Sequence, residues 1–141
     1  MRRFMLGFLA AVWFVSPALA DEVWTSREVG RVVWETDVND TSIFAYETPT
    51  GRTVRMYVEG LPANIENRRV MTGYWLMLTD GPGAGQCSAG LTAADGATSY
   101  TWGRFEMRWQ RRAYPSAWTA RMTQCFAGPV TTIRAHPYTA Q

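Results

Sequence analysis

The chain contains no lysine: all fourteen of its basic side chains are arginine. An arginine-only basic set fits GC-rich coding, and a guanidinium fork grips planar anions in a way that an ammonium does not. Without lysine, the glycine-rich run Asp80-Gly81-Pro82-Gly83-Ala84-Gly85 is not a P-loop, and with no helical pattern after it, it is not a dinucleotide fingerprint either. Histidine occurs once, at His136 ahead of Pro137, which argues against a Ser-His-Asp arrangement. Cysteine occurs twice, too few for a structural zinc site, which takes about four nitrogen or sulfur ligands. No stretch approaches the ~20 apolar residues of a membrane-spanning helix. Helical spacing never persists beyond a turn or two.

What is present begins with an address. Met1-Arg2-Arg3, the apolar run Phe4 to Val15, and Ser16-Pro17-Ala18-Leu19-Ala20 form the pattern of a secretory signal peptide over residues 1–20, with cleavage expected before Asp21. The expected mature chain, residues 21–141, suits a single domain with one modest core. Losing Arg2 and Arg3 leaves twelve arginines against twelve acids, a formal charge of zero, which gives no reason to expect nucleic acid as a partner. In an oxidising periplasmic or secreted setting Cys87 and Cys125 are expected to form one disulfide.

The dominant pattern has a period of two, the signature of β-strands. From Trp102 to Gln110, Phe105, Met107 and Trp109 alternate with Arg104, Glu106, Arg108 and Gln110. In Thr53 to Val58, Val54, Met56 and Val58 face one way while Arg55 and Tyr57 make a polar outer face. Val23–Arg27, Arg31–Thr36, Thr41–Thr48, Val70–Leu78, Ala117–Phe126 and Val130–His136 are further strands by their β-branched and aromatic content. Pro49-Thr50-Gly51-Arg52, Ala113-Tyr114-Pro115-Ser116 and Ala127-Gly128-Pro129 supply turns. The expected fold is all-β, an antiparallel β-sandwich or small β-barrel of about seven or eight strands.

Two segments are not strands. Leu61–Arg69 opens on Pro62 and ends on arginines, which predicts a single helical turn. Thr79–Thr98 reads as a long connection stapled by Cys87 to the Ala117–Phe126 strand. Trp109 and Trp118, on either side of one turn, are the strongest core candidates among the tryptophans. Tyr74-Trp75-Leu76-Met77-Leu78 is apolar on both faces, as in a strand buried on both sides or one that offers a row to a partner. No cofactor motif is present, and no metal motif either: Asp37, Asn39 and Thr41 alternate like the start of a calcium loop, but positions 42 and 48 are serine and threonine.

Charge is distributed unevenly. Tyr100–Gln141 holds six arginines and only Glu106, a net of plus five, while Asp21–Ser99 holds six arginines and eleven acids, a net of minus five. Arg104, Arg108, Arg111 and Arg112, with Tyr114 beside them, are the expected binding face for an anionic ligand or an acidic protein partner in the cell envelope. The profile of export signal, small β-domain and one disulfide resembles that of bacterial periplasmic lysozyme inhibitors, although the signature residues of those proteins are missing. The resemblance implies a non-enzymatic, inhibitor-like binding protein. The competing readings are a small envelope hydrolase with a carboxylate pair and a structural subunit docking through Tyr74–Leu78.

Overall fold

The computed structural model describes residues 22–78 and 86–138. The signal peptide expected at 1–20 and the glycine-rich run 80–85 lie outside the described residues. The described residues form ten strands: β1 (Val23–Ser26), β2 (Gly30–Val38), β3 (Thr41–Glu47), β4 (Thr53–Glu59), β5 (Val70–Met77), β6 (Leu91–Thr92), β7 (Thr98–Ser99), β8 (Trp102–Trp109), β9 (Trp118–Thr123) and β10 (Val130–Pro137). Eight of them make a closed antiparallel barrel in the order β1-β10-β9-β8-β5-β4-β3-β2, and β6 and β7 pair as a separate small hairpin. The expectation of a sandwich or a barrel thus resolves to a barrel. Closure comes from β10 meeting β1, with Trp24 opposite Pro137 and Thr25 opposite His136.

The barrel strands send alternate residues inward, with a register shift in β2 between Trp34 and Thr36, and the apolar rows meet in the interior. At one end Trp24, Trp34, Phe44, Trp109 and Trp118 form a continuous aromatic core. Trp24 stacks on Phe44 at 5.0 Å between ring centres and meets Trp109 edge-on at 5.9 Å. Trp109 and Trp118 are cross-strand partners with rings 6.4 Å apart, as their places beside one turn predict. Met56, Met107, Ala120 and Ile133 continue the core along the barrel. The Leu61–Arg69 connection carries the predicted turn as a short 3-10 helix, Pro62–Asn64. It brings Arg68 over the aromatic end, where that side chain is 1% exposed.

The outer wall of β3, β4 and β5 departs from expectation. Tyr57 was expected on a polar outer face, yet it is fully buried, because the long connection folds back over this wall. Ile43, Tyr57, Leu76 and Trp102 pack there with Cys87 and Ala93 in a second apolar cluster outside the barrel. Tyr57 stacks on Tyr74 at 4.8 Å and donates its hydroxyl to Asp95 at 3.0 Å. Arg55 lies between Glu35 and Asp95 at 3.2 and 3.1 Å. Cys87 and Cys125 are bonded to each other, which fastens this cover to the segment that follows β9. The double-faced apolar character of Tyr74–Leu78 has the same cause: Trp75 packs against the barrel core while Tyr74 and Leu78 pack against the outer cluster.

Candidate binding site

The outward row of β8 is Arg104, Glu106 and Arg108, as its alternation predicts, and both arginines are exposed. Register places Arg104 opposite Tyr74 on β5, and Glu106 opposite Thr72 on β5 and Arg121 on β9. Arg108 donates Nε to Glu106 at 2.9 Å. Arg134 on β10 pairs with Glu28 at 3.1 Å. Among the described residues, no carboxylate stands within ion-pair distance of Arg104, Arg111, Arg112 or Arg121. With Glu106 already engaged by Arg108, Arg104 and Arg121 leave this wall positively charged.

Arg104 has an aromatic partner instead of an acid. Its guanidinium carbon lies 5.2 Å from the ring centre of Phe126, in the connection between β9 and β10. Phe126 is 70% exposed and meets Trp102 edge-on at 4.9 Å. An apolar ring held so far into solvent gives up burial that it would gain in a core. Beside this stack runs a groove of about 480 Å³, lined by Glu59, Thr72, Tyr74, Leu91, Arg104 and Phe126 among others. Tyr74 is fixed in its wall by accepting the Ala94 N–H at 2.9 Å, and burial raises its pKa, so it stays a neutral phenol. On the other side of Arg104 lies a shallower cleft of about 260 Å³ with Glu106, Arg121, Thr123 and Val130. Arg104 therefore borders two grooves.

The remaining predicted residues lie elsewhere. Arg111 and Arg112 are exposed in the connection after β8, at the aromatic end of the barrel. Arg104, Arg108, Arg111 and Arg112 are thus all exposed, two on β8 and two in the connection that follows it. The Tyr114 ring, 49% exposed, sits 5.8 Å from the guanidinium of Arg68. Ser116 anchors that connection: it accepts the Arg111 N–H at 2.9 Å, and its carbonyl accepts the Trp24 indole N–H at 2.9 Å. Sequence reasoning missed Arg121 and Phe126. Arg121 joins the face through its register with Glu106, and Phe126 was assigned to a strand end.

Other clefts offer different chemistry. A groove of about 440 Å³ between β2 and β3 is lined by Arg31, Glu35, Tyr46 and Glu47 among others. It carries two carboxylates, and Glu35 is paired with Arg55 at 3.2 Å. Among the described residues no three His, Cys, Asp or Glu side chains gather as a metal site. No helix among them is long and apolar enough to cross a membrane. The chain matches no protein-family model, no curated protein and no solved structure.

Proposed function

We propose that this chain is an exported, non-enzymatic barrel domain that binds an anionic ligand or an acidic protein surface of the cell envelope through Arg104 and the aromatic groove beside it. The observation that carries the reading is Arg104 itself: an exposed guanidinium without a carboxylate partner among the described residues, backed by Phe126 at 5.2 Å, on the rim of a 480 Å³ groove. A fixed guanidinium fork gains most from a planar carboxylate or a phosphate, and the stack on Phe126 removes part of the ordering entropy that binding would otherwise cost. Arg121 adds a second unneutralised charge on the same wall. Arg111, Arg112 and Tyr114 form a further basic region at the aromatic end, available to a large partner that spans both. The signal-peptide pattern of residues 1–20 supports the periplasmic or secreted address, and an inhibitor-like role accords with an exposed aromatic beside a basic row.

The test is recovery of partners of residues 21–141 from envelope extract at low and high salt, alongside Arg104→Gln. The reading expects capture that weakens at high salt and drops in the variant. Capture equally tight under both changes would assign the arginine row to a solvated wall.

A further inference from the structure

The two ends of the barrel are filled differently. At the Arg68 end, large rings occupy the interior with centres 5.0 to 6.5 Å apart. At the other end the inward residues are Val29, Tyr46, Val54, Trp75, Met77, Met122 and Ile133, and they leave a mouth of about 220 Å³, rimmed by Thr123, Gln124 and Thr131 among others. We propose that this mouth is a second binding site, distinct from the Arg104 groove, for a small neutral molecule with an apolar body and one oxygen acceptor, the acceptor taking a hydrogen bond from the Tyr46 hydroxyl.

Size, lining and polarity support this assignment. A dry apolar cavity of about 150 Å³ holds a benzene-sized ring, so this mouth holds roughly nine heavy atoms. Barrel mouths are a recurrent location for small-molecule sites, with mostly apolar walls and a few polar groups that fix orientation. Here the apolar walls include a methionine pair that adapts to shape. The orienting group is Tyr46, to whose hydroxyl nothing hydrogen-bonds among the described residues. Burial pushes its pKa up to about 12, so it remains a neutral donor across the physiological range. A neutral donor favours a carbonyl or hydroxyl oxygen over a carboxylate, whose charge would lose its hydration on entry with no cation to replace it.

Trp75 gives the site rigidity and a signal. Its indole N–H is held by the Thr123 carbonyl at 2.9 Å, which fixes one wall of the mouth. Gly103, its neighbour across the β5–β8 ladder, makes room for it: a Cβ there would stand 2.5 Å from the Trp75 Nε1.

The experiment titrates residues 21–141 with three probes of equal heavy-atom count: acetophenone, α-methylstyrene and benzoate. The Trp75 indole N–H resonance is followed, assigned with Trp75→Phe. Acetophenone is expected to shift it saturably and benzoate to leave it unmoved. Tyr46→Phe is expected to weaken acetophenone about three- to tenfold, the share of one neutral hydrogen bond, with α-methylstyrene unaffected. Met122→Trp is expected to fill the mouth and abolish the shift. No saturable shift with acetophenone in the wild-type protein overturns the site, whatever the variants do. Benzoate binding as tightly as acetophenone, or Tyr46→Phe weakening both neutral probes alike, overturns the assigned ligand chemistry. Arg104→Gln is expected to leave all three titrations unchanged, which separates this site from the envelope-partner reading.

Discussion

The guanidinium carbon of Arg68 lies 4.7 Å from the centre of the Trp109 ring, and no other charged residue is buried among the described residues. Trp34 and Tyr114 lie 5.9 and 5.8 Å from the same carbon. Arg68 also donates Nη2 to Glu22 and Nε to the Ile65 carbonyl, so one side chain joins the β1 terminus, the helical turn and the β8–β9 connection across the end of the barrel. Removing one partner of a buried ion pair costs about 3 to 5 kcal/mol, because the other is left unpaired, whereas an apolar group of similar volume often restores the balance. Arg68→Ala is therefore expected to lower the unfolding free energy by about 3 kcal/mol or more. Arg68→Met together with Glu22→Gln is expected to recover most of that loss, as measured by urea unfolding. Equal losses in both variants would show that the cation over the rings is itself the stabilising element.

The interior of the barrel was legible in the sequence, and its outer cover was not. Phe105, Met107 and Trp109 announce an inward row because strand alternation is a local property. The pairing of β1 with β10 joins residues far apart in sequence, as in Trp24 with Pro137, and nothing local specifies it. Tyr57 read as an outward polar residue since its burial depends on the β6–β7 hairpin, whose two-residue strands are too short to show any period. Arg68 read as a cation at the end of a helical turn. Its contact with the Ile65 carbonyl fits that reading, but its burial under three rings depends on elements that meet only in the closed barrel.

The disulfide controls the cover. Cys87 and Cys125 are separated by 38 residues, and closing a loop of that length stabilises a fold by about 4 kcal/mol in the chain-entropy model. Replacing both cysteines with serine is expected to lower stability by a few kcal/mol and to leave the β content nearly intact, because neither residue lies within a barrel strand and the Cys125 N–H, which bonds the Trp102 carbonyl at 2.7 Å, is kept by serine. Hydrogen exchange should quicken first around Ala93 and Ala97, whose backbone bond closes the β6–β7 hairpin at 2.7 Å. Loss of protection first in β9 and β10 instead would place the tether's effect on the barrel.

Two phenols, the buried Tyr57 and the half-buried Tyr46, make the fold sensitive to base. Burial raises the pKa of Tyr46 to about 12, and burial together with the hydrogen bond to Asp95 raises that of Tyr57. Both folded values exceed the ordinary value of 10, so the unfolded chain ionises while the folded one stays neutral. Their contribution is complete below pH 10 and is lost as pH rises beyond it. Unfolding midpoints in urea are expected to hold steady to about that pH and then fall. Tyr57→Phe should flatten the fall, though it also leaves Asp95 without its hydroxyl donor. A midpoint indifferent to alkali in the wild-type protein would remove both tyrosines from the stability balance.

The stack of Arg104 on Phe126 separates a binding role from a structural one. Exposed cation–π contacts contribute about 0.5 to 1 kcal/mol, and surface substitutions away from special features usually move stability by no more than about 0.5 kcal/mol. Phe126 is 70% exposed and Arg104 pairs with no carboxylate among the described residues, so Arg104→Gln and Phe126→Ala are each expected to leave the melting temperature nearly unchanged. Binding should respond differently. If Phe126 serves to hold the guanidinium in place, its removal weakens capture of an anionic partner even though the charge remains, and it does nothing further once Arg104 is gone. The double variant should then bind no more weakly than Arg104→Gln alone, a coupling that a double-mutant cycle reads directly. Additive losses would mean that Phe126 touches the partner by itself, and a stability loss above about 1 kcal/mol in either variant would return the stack to the outer apolar cluster that Trp102 belongs to.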